Sequence, residues 1–436
     1  MKLSRRGLLA FSVAFVPAMA LAAPSGTALP LLQDWMKLVL VLARHTPTYS
    51  PPYAARCFAY IGVTAYEAVA SGSTGLISLA GQLDGLAPPP KRDPALTYDE
   101  GALLNAAMAQ TVADFFVNTA PAGRRALNVV TEKQRARAVA DVAPDVLERS
   151  EAFGAAIAAH VLAWSQTDNM PAMGTMGFPT DYTPPVGPEF WLPTNNITMQ
   201  QKPLLPDWGQ TRRFVASVKA NCILPPPIAF SEEPGSAFYK DAMEVYQASM
   251  TMTDDQHELA MFWSDDPLLT STPAGHGLDI AMQILALEGA DLETSVDVIA
   301  RVGVAQADAM TQAWAGKYVY NRIRPYTYIR RNIDPDWETL LITPPFPDYP
   351  SGHSVQAGAL SAVLTQAFGE NYAFTDHTGI ADGMEPRNFP DFQAAAVEAG
   401  MSRLYGGIHY RNAIESGLVH GHAIGLEINK LKTRSA

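Results

Sequence analysis

Cysteine is nearly absent. Cys57 and Cys222 are the only two in 436 residues, which excludes a disulfide-dense scaffold and leaves at most one bridge, two buried free thiols being the plainer alternative. No Cys and His spacing of the zinc-binding kind occurs. Outside the N-terminus no apolar run reaches the ~20 residues that span a bilayer, which excludes an integral membrane enzyme. Positive charge is scarce as well: 31 Lys and Arg stand against 43 Asp and Glu, a net charge of -12, which argues against nucleic acid or an anionic lipid surface as partner. The two-residue alternation of strands is missing over any length, and no fixed-period repeat suggests a solenoid.

What the chain has in quantity is helix-forming sequence. Apolar residues recur at three- and four-residue steps over 29–42, 53–70, 97–118, 122–140 and 146–164, then over 236–250, 253–263, 276–287, 292–321, 351–368, 391–404 and 408–431. Thr253 and Gln256 fit a capping box, and Gly369 stops the helix before it. Between the two groups periodicity fades and prolines thicken, at Pro171, Pro179, Pro184, Pro185, Pro188 and Pro225 to Pro227. The reading is an all-α chain of two helical bundles, 23–166 and 235–436, joined by an irregular Pro-rich connection over 167–234.

The N-terminus carries Lys2, Arg5 and Arg6, an apolar run from Gly7 to Leu21, and Ala20-Leu21-Ala22 ahead of Ala23-Pro24. These are the three regions of an export signal, so residues 1–22 are expected to be cleaved near Ala22 and the mature protein to be periplasmic or secreted. Ser4-Arg5-Arg6-Gly7-Leu8-Leu9 further resembles a twin-arginine signal.

Three short segments in the last third carry the chemistry. Lys317 precedes Arg324-Pro325 by two helical turns, which puts both cations on one face roughly 10 Å apart and lets Pro325 end the helix, so that the guanidinium folds back. Pro350-Ser351-Gly352-His353 sets an N-cap serine and a residue without a side chain at a helix N-terminus, where bare amides face an anion, with His353 on the first turn. Arg403 follows Ser402 at a helix end, Gly406-Gly407 break the chain, and His409 opens the last helix. Singly, each has a plainer explanation: a solvated helix face, a serine-capped helix, a late-helix arginine, a core histidine. Jointly they place three cations, two imidazoles and exposed backbone around one small tetrahedral oxyanion.

In that order and spacing the segments resemble the superfamily uniting vanadium-dependent haloperoxidases with type 2 phosphatidic acid phosphatases and bacterial acid phosphatases. Its motifs are Lys-x6-Arg-Pro, Pro-Ser-Gly-His and Ser-Arg-x5-His-x3-Asp. The chain matches two in full and the third through His409; Ala413 stands where Asp is expected, with Glu415 two residues on. Trp314 and Phe346-Pro347-Asp348-Tyr349 resemble the aromatic halide-side wall of chloroperoxidases. Ala54-Ala55-Arg56, Tyr66-Glu67-Ala68, Phe262 to Asp266 and Ser271-Thr272-Pro273 extend the resemblance, toward bacterial members, over both halves.

The resemblance implies vanadate as cofactor, with phosphate able to take the same place. His409 is then the vanadium ligand, and Lys317, Arg324, Arg403, Ser351 and Gly352 hold the oxygens, the last two through their amides. His353 manages the protons of hydrogen peroxide, Lys317 polarises the oxidant, and Trp314 and Phe346 wall the approach of halide, which leaves as hypohalous acid. The same residues fit a second reading, an acid phosphatase acting on phosphomonoesters or lipid phosphates through a phosphohistidine at His409, with His353 protonating the leaving group. A third makes the pocket a non-catalytic phosphate or vanadate binder. With Ala413 in place of Asp, Glu415 or a carbonyl is left to orient His409. Asp265 or Asp266 is expected to brace Arg403. His276 either lines the pocket or starts a helix, His420 and His422 read as packing or surface residues, and Asp254, Asp255 and His257 complement a helix dipole rather than hold a cation.

Overall fold

The computed structural model describes residues 28–139, 142–169, 182–194 and 202–435. The expected export signal lies outside them, as does part of the Pro-rich connection. Among the described residues the regular structure is mostly helical. Five helices come first: α1 (Ala28–His45), α2 (Pro51–Ala70), α3 (Glu100–Phe115), α4 (Pro121–Val139) and α5 (Pro144–Ser165). A short α6 (Ser217–Asn221) follows, then α7 (Ala237–Met250), α8 (Asp254–Phe262), α9 (Thr272–Leu287), α10 (Leu292–Tyr320), α11 (Pro325–Asn332), α12 (Gly352–Phe368), α13 (Phe392–Tyr405) and α14 (Arg411–Ile428). No described helix is long and apolar enough to cross a membrane.

Helix starts follow from local chemistry. Asp99, Ser236, Asp291 and Asp391 each accept the amide three residues on, and Thr253 with Gln256 forms both bonds of the capping box. One error of the sequence reading comes from a proline. Helix α10 stops at Asn321, in the left-handed region (φ 45°), and Pro325 begins a new helix with Arg324 as its N-cap. Proline lacks an N–H but fits the first helical turn, so it starts α11 rather than merely ending α10, and Arg324 does not share a helix face with Lys317. A two-stranded antiparallel ribbon, β1 (Phe374–Asp376) with β2 (Arg387–Phe389), was also not anticipated; three residues a side are too few for a visible alternation.

One hydrophobic core runs from Leu31 in α1 to Leu431 after α14. At its centre α2 lies against α10 with backbones nearly touching. A Cβ on Gly62 would sit 3.2 Å from Ala300 Cα, and one on Gly303 2.9 Å from Ala59 Cα. Phe58, Tyr60, Ile61 and Val63 of α2 are buried here, each contributing on the order of 1.5–3 kcal/mol before conformational entropy is subtracted. Cys57 and Cys222 are both buried and free.

A second close crossing positions the functional residues. Helices α12 and α14 meet through Gly358, Gly417, Gly421 and Gly425; a Cβ on Gly421 would lie 1.9 Å from Val355 O. Only glycine permits that approach. It sets the start of α12, with Ser351, Gly352 and His353, beside the start of α14, just after His409, and the Ser351 amide donates across the gap to Ala413 O at 3.0 Å.

Candidate active site

The residues singled out along the sequence converge. His409 is buried, in the turn between α13 and α14. Its Nε2 is 3.1 Å from Arg324 Nη1, and its Nδ1 is 2.7 Å from Asp348 Oδ1. A guanidinium has only protons to offer, so Nε2 is the acceptor and Nδ1 carries the hydrogen it gives to Asp348. The carboxylate missing at Ala413 is thus supplied from the segment before α12. Glu415, the expected substitute, is exposed and lies near Arg411 instead. Sequence spacing held no signal for this swap beyond the acid inside the aromatic run.

Asp348 is itself fully buried. Arg322 lies 3.6 Å from its other oxygen and also reaches Asp241 and Asn412. Burial pushes the Asp348 carboxyl up to about 6, against the pull of Arg322, Arg324 and Lys317. Burial and then the neighbouring Arg324, Lys317 and Arg403 hold the His409 imidazole well below its ordinary range, so it is a neutral base.

The three predicted cations are all buried. Lys317 Nζ donates to the carbonyls of Pro347 (2.9 Å), Asp348 (3.1 Å) and Pro350 (2.6 Å), so each of its protons already has an acceptor. That clasps the segment leading to α12 onto α10. Arg324 donates to Phe346 O and Ile408 O, while its Nη2 has no hydrogen-bond partner among the described residues. Arg403 donates to the Ser402 hydroxyl and to the carbonyls of Trp263 and Ser264. Asp265 and Asp266 therefore brace it by charge, while the carbonyls of the two residues before them take its protons. Desolvation brings both guanidiniums down to about 10 and depresses Lys317 well below its ordinary value, with Arg324 adding repulsion. Buried positive charge with an unused donor at Arg324 Nη2 suits an anion.

At the start of α12, Ser351 caps the helix through the Ser354 amide and accepts the Ser354 hydroxyl. Its own amide, expected to face the anion, is taken by Ala413 O. At Gly352 a Cβ would lie against Trp314 at 3.7 Å and the Lys317 stem at 3.8 Å. Trp314 and Phe346 are in contact, ring centroids 4.9 Å apart. Phe346 presents its face to both Lys317 Nζ (4.9 Å) and the Arg324 guanidinium (5.0 Å), a desolvated cation–π arrangement.

His353 stands on the first turn of α12 with Nε2 3.7 Å from Asp265 Oδ2, too far for a direct bond. Desolvation, then Arg403, His276, Lys317 and Arg324, keep its imidazole well below the ordinary range. His276 does not line the anion space: it is enclosed between Asp265 and Asp376. His420 is buried in α14 and His422 exposed, as expected of packing and surface residues. Asp254, Asp255 and His257 are exposed, and no group able to hold a metal through three His, Cys, Asp or Glu side chains occurs among the described residues. A cleft of about 240 Å³ between Tyr326 and the 338–343 segment contains none of the predicted site residues.

Comparison with known proteins places this geometry. Residues 297–435 match the sequence profile of the VCPO second helical-bundle domain. The crystal structure of a bacterial vanadium-dependent iodoperoxidase is 35% identical, covering 93% of this chain and 97% of that one, with a TM-score of 0.84. Holo-type and apo-type structures of a bacterial vanadium-dependent chloroperoxidase share 16% identity and the fold. The holo form covers 90% of this chain and 93% of its own (TM-score 0.68), the apo form 88% and 94% (TM-score 0.65). No curated protein sequence matches the chain.

Proposed function

Because the chain belongs to the vanadium-dependent haloperoxidase family, we propose that it oxidises halide with hydrogen peroxide to hypohalous acid, using vanadate held at His409. One observation carries the proposal. His409 presents a neutral Nε2 lone pair, fixed by the Nδ1 bond to Asp348, inside a buried ring of cations. A metal needs a deprotonated nitrogen of fixed tautomer, and an oxyanion needs the cations. The donor set suits vanadate on both counts, and Arg324 Nη2, which has no partner among the described residues, points to the same occupant.

When bound, vanadate supplies a Lewis-acid centre that activates hydrogen peroxide for a two-electron oxidation of halide. The protein's part is positional and electrostatic. His409 Nε2 would hold the metal, and Arg324 Nη2, Arg403, the Gly352 amide and the Ser351 hydroxyl would hold its oxygens. Lys317 reaches the same anion by field and, through three carbonyls, fixes the loop that carries Asp348. His353, held neutral, would take a peroxide proton. Trp314 and Phe346 form a dry, polarisable wall for a soft halide, iodide before bromide, in keeping with the iodoperoxidase relative.

The test is peroxide-dependent oxidation of iodide and bromide by the purified protein with and without added vanadate, scored beside hydrolysis of a chromogenic phosphate ester. Turnover that needs vanadate and is suppressed by excess phosphate supports the proposal. Ester cleavage inhibited by vanadate, without halide turnover, replaces it with the phosphatase reading; uptake of phosphate or vanadate without either activity leaves a binding protein.

A further inference from the structure

Behind His353, away from the anion space, lies a buried chain of alternating carboxylates and imidazole. His276, on the second turn of α9, is 2% exposed. Its Nδ1 is 2.9 Å from Asp265 Oδ1 and its Nε2 is 2.8 Å from Asp376 Oδ2. Trp263 covers the ring in parallel, centroids 4.4 Å apart, and Phe262 meets it at 5.5 Å. Both ring nitrogens face a carboxylate, so the arrangement has complementary charges only when both carry protons. Neutral His276 would leave two buried carboxylates sharing one donor hydrogen. The imidazolium between them leaves a cluster of net charge -1.

Asp265 turns that cluster toward His353. It takes a left-handed backbone conformation, φ 52°, that a non-glycine residue seldom adopts without compensating contacts. Its Oδ1 is held by His276 while Oδ2 aims at His353 Nε2, 3.7 Å away. Between these groups is a cavity of about 30 Å³ lined by Trp263, Asp265, Gln306, His353 and Gln356 among others. His353 Nε2, Gln306 Nε2 and Gln356 Oε1 have no hydrogen-bond partner among the described residues. The rest of the lining is apolar, but the volume holds a single water, and these unpartnered polar atoms are the partners with which it would bridge His353 to Asp265.

We propose that Asp265, His276 and Asp376 form a positioning relay for His353: a permanent imidazolium at His276 holds the Asp265 carboxylate in place, and Asp265, through one water in the cavity, sets the protonation and ring orientation of His353. None of the three touches the anion space, so they are positioning residues rather than catalytic ones. The groups facing His276 are Asp265 from the loop after α8, Asp376 from β1, Asp279 from its own helix, and His353 from α12. Those facing His353 are Asp265, His276, Arg403, Lys317, Arg324 and His409. Against this cationic company Asp265 supplies the nearest negative charge, and the relay keeps it there.

The role assigned to His353 rests on the haloperoxidase reading, but the relay is tested without turnover. The measurement is an imidazole nitrogen NMR titration of the full chain, with His276 and His353 assigned by their loss in His276→Gln and His353→Ala. In the wild type, His276 should show both nitrogens protonated at pH 7. In Asp376→Asn, which keeps an acceptor for Nε2–H and removes one charge from a residue that does not touch His353, the His353 midpoint should fall by about half a unit or more. A neutral His276 in the wild type overturns the proposal even if no variant folds, and so does a His353 midpoint unmoved in a folded Asp376→Asn. If the midpoint moves but the protein oxidises no halide, the relay stands and the function assigned to the site fails.

Discussion

Asp348 orients His409 from the wrong side of the sequence: the carboxylate that bonds Nδ1 at 2.7 Å lies 61 residues before it, not four residues after it. The two arrive from different elements, Asp348 from the segment clasped to α10 by Lys317 and His409 from the turn entering α14. The bond fixes the tautomer that leaves Nε2 basic. The Arg324 proton on the other nitrogen agrees with it.

Replacing Asp348 by Asn keeps the shape but removes the charge, and the amide can turn its NH2 toward Nδ1, which favours the opposite tautomer. Vanadate affinity should fall ~10–100-fold, the range for an outer partner of a metal-binding histidine. Equilibrium titration of vanadate, read by quenching of the buried tryptophans, checks it. Ala413→Asp in the same background should not restore binding, since Ala413 is buried and its carbonyl already accepts the Ser351 amide. Undiminished affinity in Asp348→Asn would remove the basis for reading His409 as the ligand.

How far the sequence alone carries can be judged from these residues. The helices were legible because the apolar period and the caps at Asp291, Asp391 and Thr253 are local chemistry. So was the convergence of Lys317, Arg324, His353, Arg403 and His409, because residue types at fixed spacings imply a shared ligand. Asp348 and the enclosure of His276 were not legible. Each depends on a contact between distant segments, and nothing in the local pattern of an acid says which imidazole it will meet. Pro325 was misjudged because a proline reads equally as a stop or a start.

Lys317 combines a charge role with a structural one, and its replacement should show both. In Lys317→Met the side-chain volume is roughly kept, but three carbonyls lose their buried donor, a loss of about 1–3 kcal/mol for each acceptor left dry. Urea unfolding should show a destabilisation of several kcal/mol together with loss of vanadate binding. Lys317→Arg should rescue neither, because a planar fork cannot reproduce the point-like ammonium that meets three carbonyls at once. A Met variant as stable as wild type would mean the clasp is not made in solution.

Phe346 is only partly buried and presents its ring face to two cations. Phe346→Ala should cost about tenfold in kcat/KM for halide, mostly in KM, in line with the ~1–2 kcal/mol of a desolvated cation–π contact. Phe346→Tyr, which keeps the ring, should retain most of the activity. Steady-state kinetics with iodide at saturating peroxide decides; a kcat effect with unchanged KM would show that Phe346 serves the chemistry rather than the approach of halide.

His420 lies buried in α14 with Nε2 lacking a partner among the described residues, and burial pushes its imidazole down to about 4. In the unfolded chain the ordinary value is about 6.5, so between pH 6.5 and 4 the unfolded state binds more protons. Stability from this residue is therefore level above pH 6.5, declines as pH falls through the window, and levels again below 4. His420→Leu removes the titration. Relative to wild type it should gain about 2 kcal/mol on going from pH 8 to pH 5. Comparing urea unfolding at the two pH values cancels the packing change, which is the same at both. An equal difference at pH 8 and pH 5 would mean that His420 reaches water or a partner and keeps an ordinary proton affinity.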